Sequence, residues 1–198
     1  MTNEAHNILR ILIENPDEKY SIRKLSKLRK INYKSAYQAV MKLEKEGVVH
    51  LERLGNTINC SFPKKLNPSV FAVEYERRGE IMKDSNLRIM CQNFKDIPYQ
   101  FVLLLFGSQA KKTATRHSDI DLLAITEHEK EIERAASVLP LNIHLTALSN
   151  KQFTSMVKSR ELTVVSEAMK KNIILIGIED YYRVLENAGR YTDKGSRS

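Results

Sequence analysis

The sequence lacks any apolar run approaching the roughly 18 residues of a membrane-spanning helix. Its first residues also lack the basic-then-apolar order of a secretory signal peptide. Its two cysteines, Cys60 and Cys91, have no metal-binding spacing, which favours reduced, structural thiols. The five histidines are scattered without zinc-ligand spacing, and we interpret His117 as a loop residue. These absences predict a globular, cytoplasmic chain with no membrane partner and no zinc site.

The positive charge is concentrated near the N-terminus. The net charge is +8, and residues 1–66 carry 13 Lys and Arg against 7 Asp and Glu, whereas residues 67–198 carry 19 against 17. An uneven basic excess is the electrostatic footprint of a nucleic-acid-binding module, although basic surfaces also serve solubility. A length of 198 residues with 42% hydrophobic content predicts one or two domains with a sizeable core.

The first 63 residues show a helical pattern followed by a hairpin pattern. Apolar spacing predicts helices over about 4–15, 22–28 and 33–46, with Ser21 and Asn32 as N-caps of the second and third. Two strands, over 48–53 and 57–62, flank a turn at Gly55-Asn56. The expected local structure is three helices and a β-hairpin.

This order, with AYQAVMKLEKEGVV across the third helix and the hairpin start, resembles a winged helix-turn-helix domain. Many prokaryotic transcription regulators contain one. The resemblance implies that the third helix enters a DNA major groove. The side chains then expected near DNA are Lys34, Ser35, Tyr37, Gln38, Lys42 and, in the wing, Arg53. Gln38 is the candidate for hydrogen bonding to the edge of an adenine base. Winged helices also act as protein-interaction domains, and that alternative stays open.

The second distinctive pattern is a strand, a glycine turn and a pair of aspartates. An apolar run over 99–106 predicts a buried strand ending at Gly107-Ser108, where a tight turn offers an amide and a hydroxyl to an anion. A helix starting there would also favour a triphosphate. Ten residues later, Asp119 and Asp121 open another apolar strand. Alternation puts both carboxylates on one face, about 7 Å apart, which suits a divalent metal bound to substrate phosphates.

This motif resembles the signature of the minimal nucleotidyltransferases, small members of the polymerase-beta superfamily that include antitoxin-type proteins. The resemblance implies that Gly107, Ser108 and Ser118 bind a nucleotide, with ATP expected, and that Asp119 and Asp121 are catalytic and bind Mg²⁺. Lys111-Lys112 stands where the family often has Arg-Gly, and Lys111 offers a point charge to a phosphate. A toxin-like protein is the kind of partner that the antitoxin-type members imply.

In that family a third carboxylate on a later strand completes the two-metal site, and the sequence departs from the family at this position. The next predicted strand, over 141–148, contains no acid, and Asn142 or His144 stands at the third position. Either residue would hold a second Mg²⁺ less well than a carboxylate. Nucleotide binding is therefore better supported than turnover.

The whole chain is expected to be α+β. We predict a winged helix-turn-helix domain over 1–66, a helical linker over 67–97, a small mixed α/β nucleotidyltransferase-type domain over 98–187 and a mobile tail over 188–198. The linker helix is expected to break at Gly79 and at 84–86. Its apolar positions could pack on the sheet or on a second copy, which would give a homodimer suited to palindromic DNA. A capping box at 126–129 predicts the start of another helix.

Three interpretations remain open. The chain is a DNA-bound enzyme that transfers a nucleoside monophosphate from a triphosphate, with Mg²⁺, to an acceptor such as a protein or RNA group. Alternatively, turnover is lost and the domain senses a nucleotide in a transcription regulator. In the third interpretation the α/β domain is only a dimerisation scaffold, which predicts no Mg²⁺-dependent nucleotide binding.

Overall fold

The computed structural model describes residues 2–115, 118–159 and 162–193. Within them the chain has an α+β fold with two separate sheets, which confirms the predicted class. The chain divides into two compact units, Met1–Val73 and Glu74–Ser198. This division lies inside a helix that begins at Pro68, so it comes after the polar break at 63–68 where the sequence places a domain boundary.

The first unit combines three helices with an antiparallel sheet whose strand order is β1-β3-β2. Its elements are α1 (Asn3–Glu14), β1 (Tyr20–Ser21), α2 (Ile22–Arg29), α3 (Tyr33–Lys45), β2 (His50–Leu54) and β3 (Thr57–Ser61). The predicted helices and hairpin are confirmed. The sequence did not predict β1, because two residues are too few to show an alternating pattern.

Both predicted N-caps of the first unit are present. The Ser21 hydroxyl accepts a hydrogen bond from the backbone N–H of Lys24 at 3.1 Å. The Asn32 side-chain oxygen accepts one from the backbone N–H of Ser35 at 2.8 Å. Each bond satisfies an amide that the helix itself leaves free. The three helices pack around buried apolar side chains, which include Ile8, Leu9, Leu12, Ile22, Leu25, Ala36, Val40 and Leu43.

Two helices, α4 (Pro68–Ile81) and α5 (Ser85–Lys95), come next. The predicted interruption at Gly79 is wrong, because α4 continues through it; an interior glycine costs a helix only about 1 kcal/mol relative to alanine. The predicted break at 84–86 is confirmed as the start of α5. There the Asp84 carboxylate accepts hydrogen bonds from the backbone N–H groups of Asn86 and Leu87 at 2.8 and 3.1 Å.

The second unit contains a four-stranded mixed sheet with the order β6-β5-β4-β7. Its strands are β4 (Val102–Leu105), β5 (Ile120–Ile125), β6 (Ile143–Leu148) and β7 (Ile173–Ile176). Strand β4 is antiparallel to β5 and β7, whereas β5 and β6 are parallel. The end of β4 and the starts of β5 and β6 therefore lie side by side at one edge of the sheet. The candidate functional residues are at this edge.

The helices that follow β4 are α6 (Gly107–Lys111), α7 (Glu129–Ser137), α8 (Asn150–Ser159), α9 (Val164–Lys170) and α10 (Ile178–Asp193). The predicted capping box at 126–129 is wrong. The Thr126 hydroxyl accepts from the backbone N–H of His128 at 3.0 Å, so it closes a turn before α7 instead of capping the helix. Helix α10 continues to Asp193, past the predicted start of the tail, and residues 194–198 lie outside the described part.

Cys60 and Cys91 are free and buried. Burial raises the pKa of the Cys60 thiol to about 12 and that of the Cys91 thiol to about 11. Because the thiolate is the reactive form, both side chains are poor nucleophiles near neutral pH, as expected of structural cysteines. Among the described residues, no helix has the length and apolarity needed to cross a membrane.

Candidate functional site

The turn after β4 brings the backbone against a carboxylate of β5. Gly107 has a φ of +64°, a conformation that L side chains rarely adopt. A Cβ at this position would lie 2.8 Å from Cγ of Asp121, much closer than two carbons normally approach. Only glycine allows the backbone to lie this near to Asp121. Ser108 and Lys111 continue from the turn into α6, which has 5 residues and forms a single helical turn.

Asp119 and Asp121 flank a buried residue at the start of β5. Ile120 is 7% exposed, whereas the Asp121 side chain is 26% exposed and Asp119 is exposed. This alternation puts both carboxylates on the face opposite Ile120. The backbone N–H of Phe106 donates to the Asp121 carbonyl at 3.0 Å, which ties the start of β5 to the glycine turn. The aspartate pair and the glycine turn therefore meet at one edge of the sheet.

The parallel strand β6 brings two neutral side chains beside the aspartates. The backbone N–H of Ile120 donates to the Asn142 carbonyl at 2.9 Å, and Asp121 pairs with His144 in the strand register. The Asn142 carboxamide donates a short hydrogen bond to Asp119 Oδ1. His144 is exposed, with Nδ1 3.7 Å from Asp121 Oδ1. Both residues that the sequence places at the third position therefore contact an aspartate, and neither supplies a carboxylate.

The model of the nucleotidyltransferase domain family matches residues 85–183, half of the 198-residue chain. The chain belongs to the nucleotidyltransferase domain family. The matched range contains the whole four-stranded sheet, the glycine turn and both aspartates. Such domains transfer a nucleoside monophosphate and generally use a divalent metal such as Mg²⁺. The predicted nucleotidyltransferase domain is confirmed.

Two other comparisons add no functional evidence. A search of curated proteins found no match. One similar solved structure is that of TrmBL2, an archaeal chromatin protein, whose structure is described as showing a novel mode of DNA binding. The two chains are 10% identical, and the alignment covers 98% of this chain and 93% of that one with a TM-score of 0.27. A similarity this low carries no argument about fold or function.

The donor set of the nucleotidyltransferase domain fits one divalent cation better than two. Asp119 and Asp121 offer carboxylate oxygens, which Mg²⁺ prefers, and substrate phosphates and water would complete its octahedral shell. Asn142 and His144 bring no further negative charge, and an imidazole suits Mg²⁺ poorly. Among the described residues, no three His, Cys, Asp or Glu side chains are grouped in a way that would hold a metal ion.

Two of the predicted nucleotide-binding side chains bond to neighbours. The Lys111 ammonium forms an ion pair with Glu167 of α9 at 3.0 Å, and both side chains are about half exposed. The Ser118 hydroxyl accepts from the backbone N–H of Thr115 at 2.9 Å and so closes the loop before β5. Sequence reasoning missed Glu167, which lies 56 residues beyond Lys111 with no motif to connect them. His117 lies outside the described residues.

A cavity of about 620 Å³ is lined by neighbours of Asp119 but by neither aspartate. Its walls come from the start of α5, from Gln109 of α6, from the loop before β5 and from residues 140–142. Two wall residues connect it to the aspartates: Ser118 precedes Asp119 in the chain, and Asn142 bonds to the Asp119 carboxylate. Sequence reasoning missed the cavity because its walls join the motif region to residues 84–87 and 140–142, which are distant from it in the sequence.

In the first unit, most side chains predicted to contact DNA are exposed on α3 and the hairpin. The exposed members are Lys34, Tyr37, Gln38, Lys42 and, in β2, Arg53. Ser35 is partly buried, and its backbone N–H is bonded to the Asn32 cap. Tyr37 lies near Tyr33, with ring centroids 6.2 Å apart. Over residues 2–115, 118–159 and 162–193, the side chains of Lys34, Gln38, Lys42 and Arg53 have no hydrogen-bond or ion-pair partner.

Proposed function

We propose that this chain is a DNA-binding protein whose nucleotidyltransferase domain binds a nucleoside triphosphate with Mg²⁺, with ATP as the triphosphate, and transfers the nucleoside monophosphate to an acceptor. The observation that carries the proposal is the contact between the Gly107 turn and the Asp121 carboxylate. The turn puts backbone amides directly against the Asp121 carboxylate. This is the arrangement needed to hold phosphates and a cation next to each other.

Each residue then has a defined task in binding. The amides of the Gly107-Ser108 turn and the Ser108 hydroxyl hold the outer phosphates of the triphosphate, and the Lys111 ammonium neutralises part of their charge. Asp119 and Asp121 hold the cation. When bound, Mg²⁺ neutralises the charge that develops on the phosphates during transfer. The protein's own contribution is to fix the reacting phosphate relative to an acceptor.

The first unit supports DNA binding by its shape and by its charge. Its three helices and hairpin have the order of a winged helix-turn-helix domain, with α3 as the helix that would enter a major groove. The exposed Lys34, Lys42 and Arg53 would contact phosphates, and Gln38 would reach a base edge. A nucleotide bound in one unit and DNA bound by the other would make the chain a transcription regulator.

Isothermal titration of ATP, with and without Mg²⁺, tests nucleotide binding. Wild-type protein should bind Mg²⁺-ATP, and the Asp119→Asn/Asp121→Asn variant should lose that binding while keeping its fold, because the substitution keeps side-chain size and removes only charge. Asp96→Asn removes an exposed carboxylate at the end of α5 and serves as the matched control. If no triphosphate binds in a Mg²⁺-dependent way, the α/β domain is a scaffold and the proposal is wrong.

A second candidate function is nucleotide sensing without turnover, and one observation favours it. The Asn142 carboxamide donates to Asp119 where the family resemblance implies a third carboxylate. Sensing requires only that the bound nucleotide shifts the affinity for DNA. Labelled triphosphate separates the two candidates: an enzyme releases pyrophosphate and labels an acceptor, whereas a sensor does neither and changes its DNA affinity when Mg²⁺-ATP is added.

A further inference from the structure

The two neutral side chains beside the aspartates differ in how they contact them. The His144 side chain is 79% exposed, and its Nδ1 lies 3.7 Å from Asp121 Oδ1, which is too far for a hydrogen bond. The Asn142 carboxamide, in contrast, donates a short hydrogen bond to Asp119 Oδ1. Of these two residues, Asn142 is therefore the one that acts on an aspartate through a hydrogen bond.

The backbone of Asn142 is itself fixed at the start of β5. Its carbonyl accepts a hydrogen bond from the backbone N–H of Ile120 at 2.9 Å, and the next residue, Ile143, pairs with Ile120 in the parallel register. Asn142 thus bonds to two consecutive residues, through its carbonyl to Ile120 and through its carboxamide to Asp119. Because the backbone bond fixes the start of the side chain, the carboxamide reaches the Asp119 carboxylate from a defined direction.

The Asp119 side chain has little other support. It is exposed and comes just before the first residue of β5, whereas Asp121 lies within the strand and against the Gly107 turn. Within residues 2–115, 118–159 and 162–193, Asn142 is the only hydrogen-bond or ion-pair partner of the Asp119 side chain. An exposed carboxylate without this bond would populate several rotamers, and a cation would have to order it on binding.

The chemistry of a carboxamide suits it to this task. An ionised carboxylate only accepts hydrogen bonds and would repel Asp119, whereas a carboxamide offers N–H donors and carries no charge. The bond to Oδ1 leaves Oδ2 of Asp119 for a cation. In metal sites generally, groups that hydrogen-bond to a ligand fix its orientation, and their loss typically lowers metal affinity by about 10-fold to 100-fold.

We propose that Asn142 is a positioning residue of the cation site, with its carboxamide holding Oδ1 of Asp119 and leaving Oδ2 to bind the cation. The family resemblance implies a carboxylate that binds metal at this position. In this chain the position instead acts on the cation indirectly, through Asp119. The inference rests on the proposed function, because Asp119 and Asp121 must bind the cation.

The test measures binding of the Mn²⁺–ATP complex to the full chain from the EPR spectrum of Mn²⁺, which shares the oxygen preference of Mg²⁺. Asn142→Leu keeps the approximate size of the side chain and removes the donor, so it should weaken binding by about tenfold. Asn142→Ser is smaller but keeps a donor, and it should bind more tightly than Asn142→Leu. Neither variant adds charge, so the pair isolates the hydrogen bond. Asn93→Leu, at an exposed position of α5, is the matched control and should bind as wild type does.

Each other outcome has a separate meaning. Wild-type affinity in Asn142→Leu would overturn the positioning role and leave the proposed cation site in place. A loss in Asn142→Ser as large as that in Asn142→Leu, or larger, would also overturn it, because the shape of the side chain and not its donor would then matter. If wild-type protein does not bind Mn²⁺–ATP, the proposed function fails together with this inference.

Discussion

The two units of this chain hold their candidate functional residues in different ways. In the second unit, Gly107 lies against Asp121, Asn142 donates to Asp119 and Lys111 pairs with Glu167. In the first unit, Lys34 and Gln38 project from α3 with no side-chain partner among the described residues. The candidate residues of the second unit are held by contacts with neighbouring residues, whereas the side chains on α3 of the first unit are free to change conformation.

This difference follows from what each kind of site must bind. A cation held between carboxylates and phosphates needs donors at fixed positions, so the protein must hold the aspartates before the ligand arrives. Contacts to a DNA backbone are numerous, partly water-mediated and individually weak, and long exposed side chains satisfy them without a rigid frame. Substitutions at the glycine turn of the second unit should therefore have large effects, whereas substitutions on α3 of the first unit should have additive ones.

The largest effect is expected from Gly107→Ala. A Cβ there would collide with the Asp121 carboxylate and strain a backbone with positive φ, so the turn and the aspartate must move apart. We expect a loss of Mg²⁺-ATP affinity of about 100-fold or more, measured by titration, because misplacing a positioned group by about 1 Å has effects of that size.

Gly55→Ala is the matched control for backbone strain. Gly55 has a φ of +57° but no atom within 4 Å of an added Cβ, so this variant reports strain without a collision. Its cost should be about 1–2 kcal/mol in unfolding free energy, with ATP binding unchanged. If Gly107→Ala binds ATP as well as Gly55→Ala does, the turn is not part of the site and the contrast between the units weakens.

Asn142→Asp tests the second unit in the opposite direction, because it adds a third carboxylate next to Asp119. Three negative charges attract Mg²⁺ more strongly than two, and we expect Mg²⁺ affinity to rise by about tenfold, which corresponds to about 1.4 kcal/mol and one added charge in a partly exposed site. Calorimetry with Mg²⁺ measures the affinity, and pyrophosphate release reports any gain in turnover. Asn150→Asp, an exposed residue at the start of α8, is the matched control. Unchanged Mg²⁺ binding in Asn142→Asp would show that this position does not face the cation.

The sequence could predict the motif of the second unit because that motif is local. Gly107 lies on one side of a loop, and Asp119 and Asp121 lie on the other. Their strands show continuous apolar runs, so the turn, the strands and the alternation are all visible within residues 102–125. Asn142 and His144 were predicted from the family resemblance, which implies a third carboxylate on the next strand, and in the structure that strand pairs with β5 in parallel.

What the sequence could not predict depends on contacts between distant segments. The Lys111–Glu167 pair and the cavity join residues from separate helices and loops, and each residue alone has an ordinary surface context. Gly79 and Thr126 misled prediction for a different reason. Local propensity placed a break at one and a helix cap at the other, whereas α4 continues through Gly79 at a cost of only about 1 kcal/mol and the Thr126 hydroxyl closes a turn.

In the first unit, substitutions on α3 should act separately. Gln38→Ala should cost about 1–3 kcal/mol of DNA affinity at one base position and relax specificity there. Lys34→Ala should weaken binding uniformly and reduce the slope of log affinity against log salt by about 1. Lys130→Ala, at an exposed position of α7, is the control for loss of a positive charge. The double variant Lys34→Ala/Gln38→Ala should show the sum of the two losses, and a strongly non-additive result would mean that this face is held as rigidly as the aspartate site.

The smallest effect is expected from Glu167→Gln. In the structure the Lys111 ammonium is 3.0 Å from the Glu167 carboxylate, so a triphosphate must compete with that carboxylate for the lysine. Because both side chains are about half exposed, the ion pair contributes little, of the order of 0.2–1 kcal/mol, and its removal should raise Mg²⁺-ATP affinity by only about twofold. Lys111→Ala should lower the affinity, and in that background Glu167→Gln should have no further effect. A gain of equal size in both backgrounds would mean that Glu167 repels the triphosphate directly, and Lys111 would then lose its proposed role.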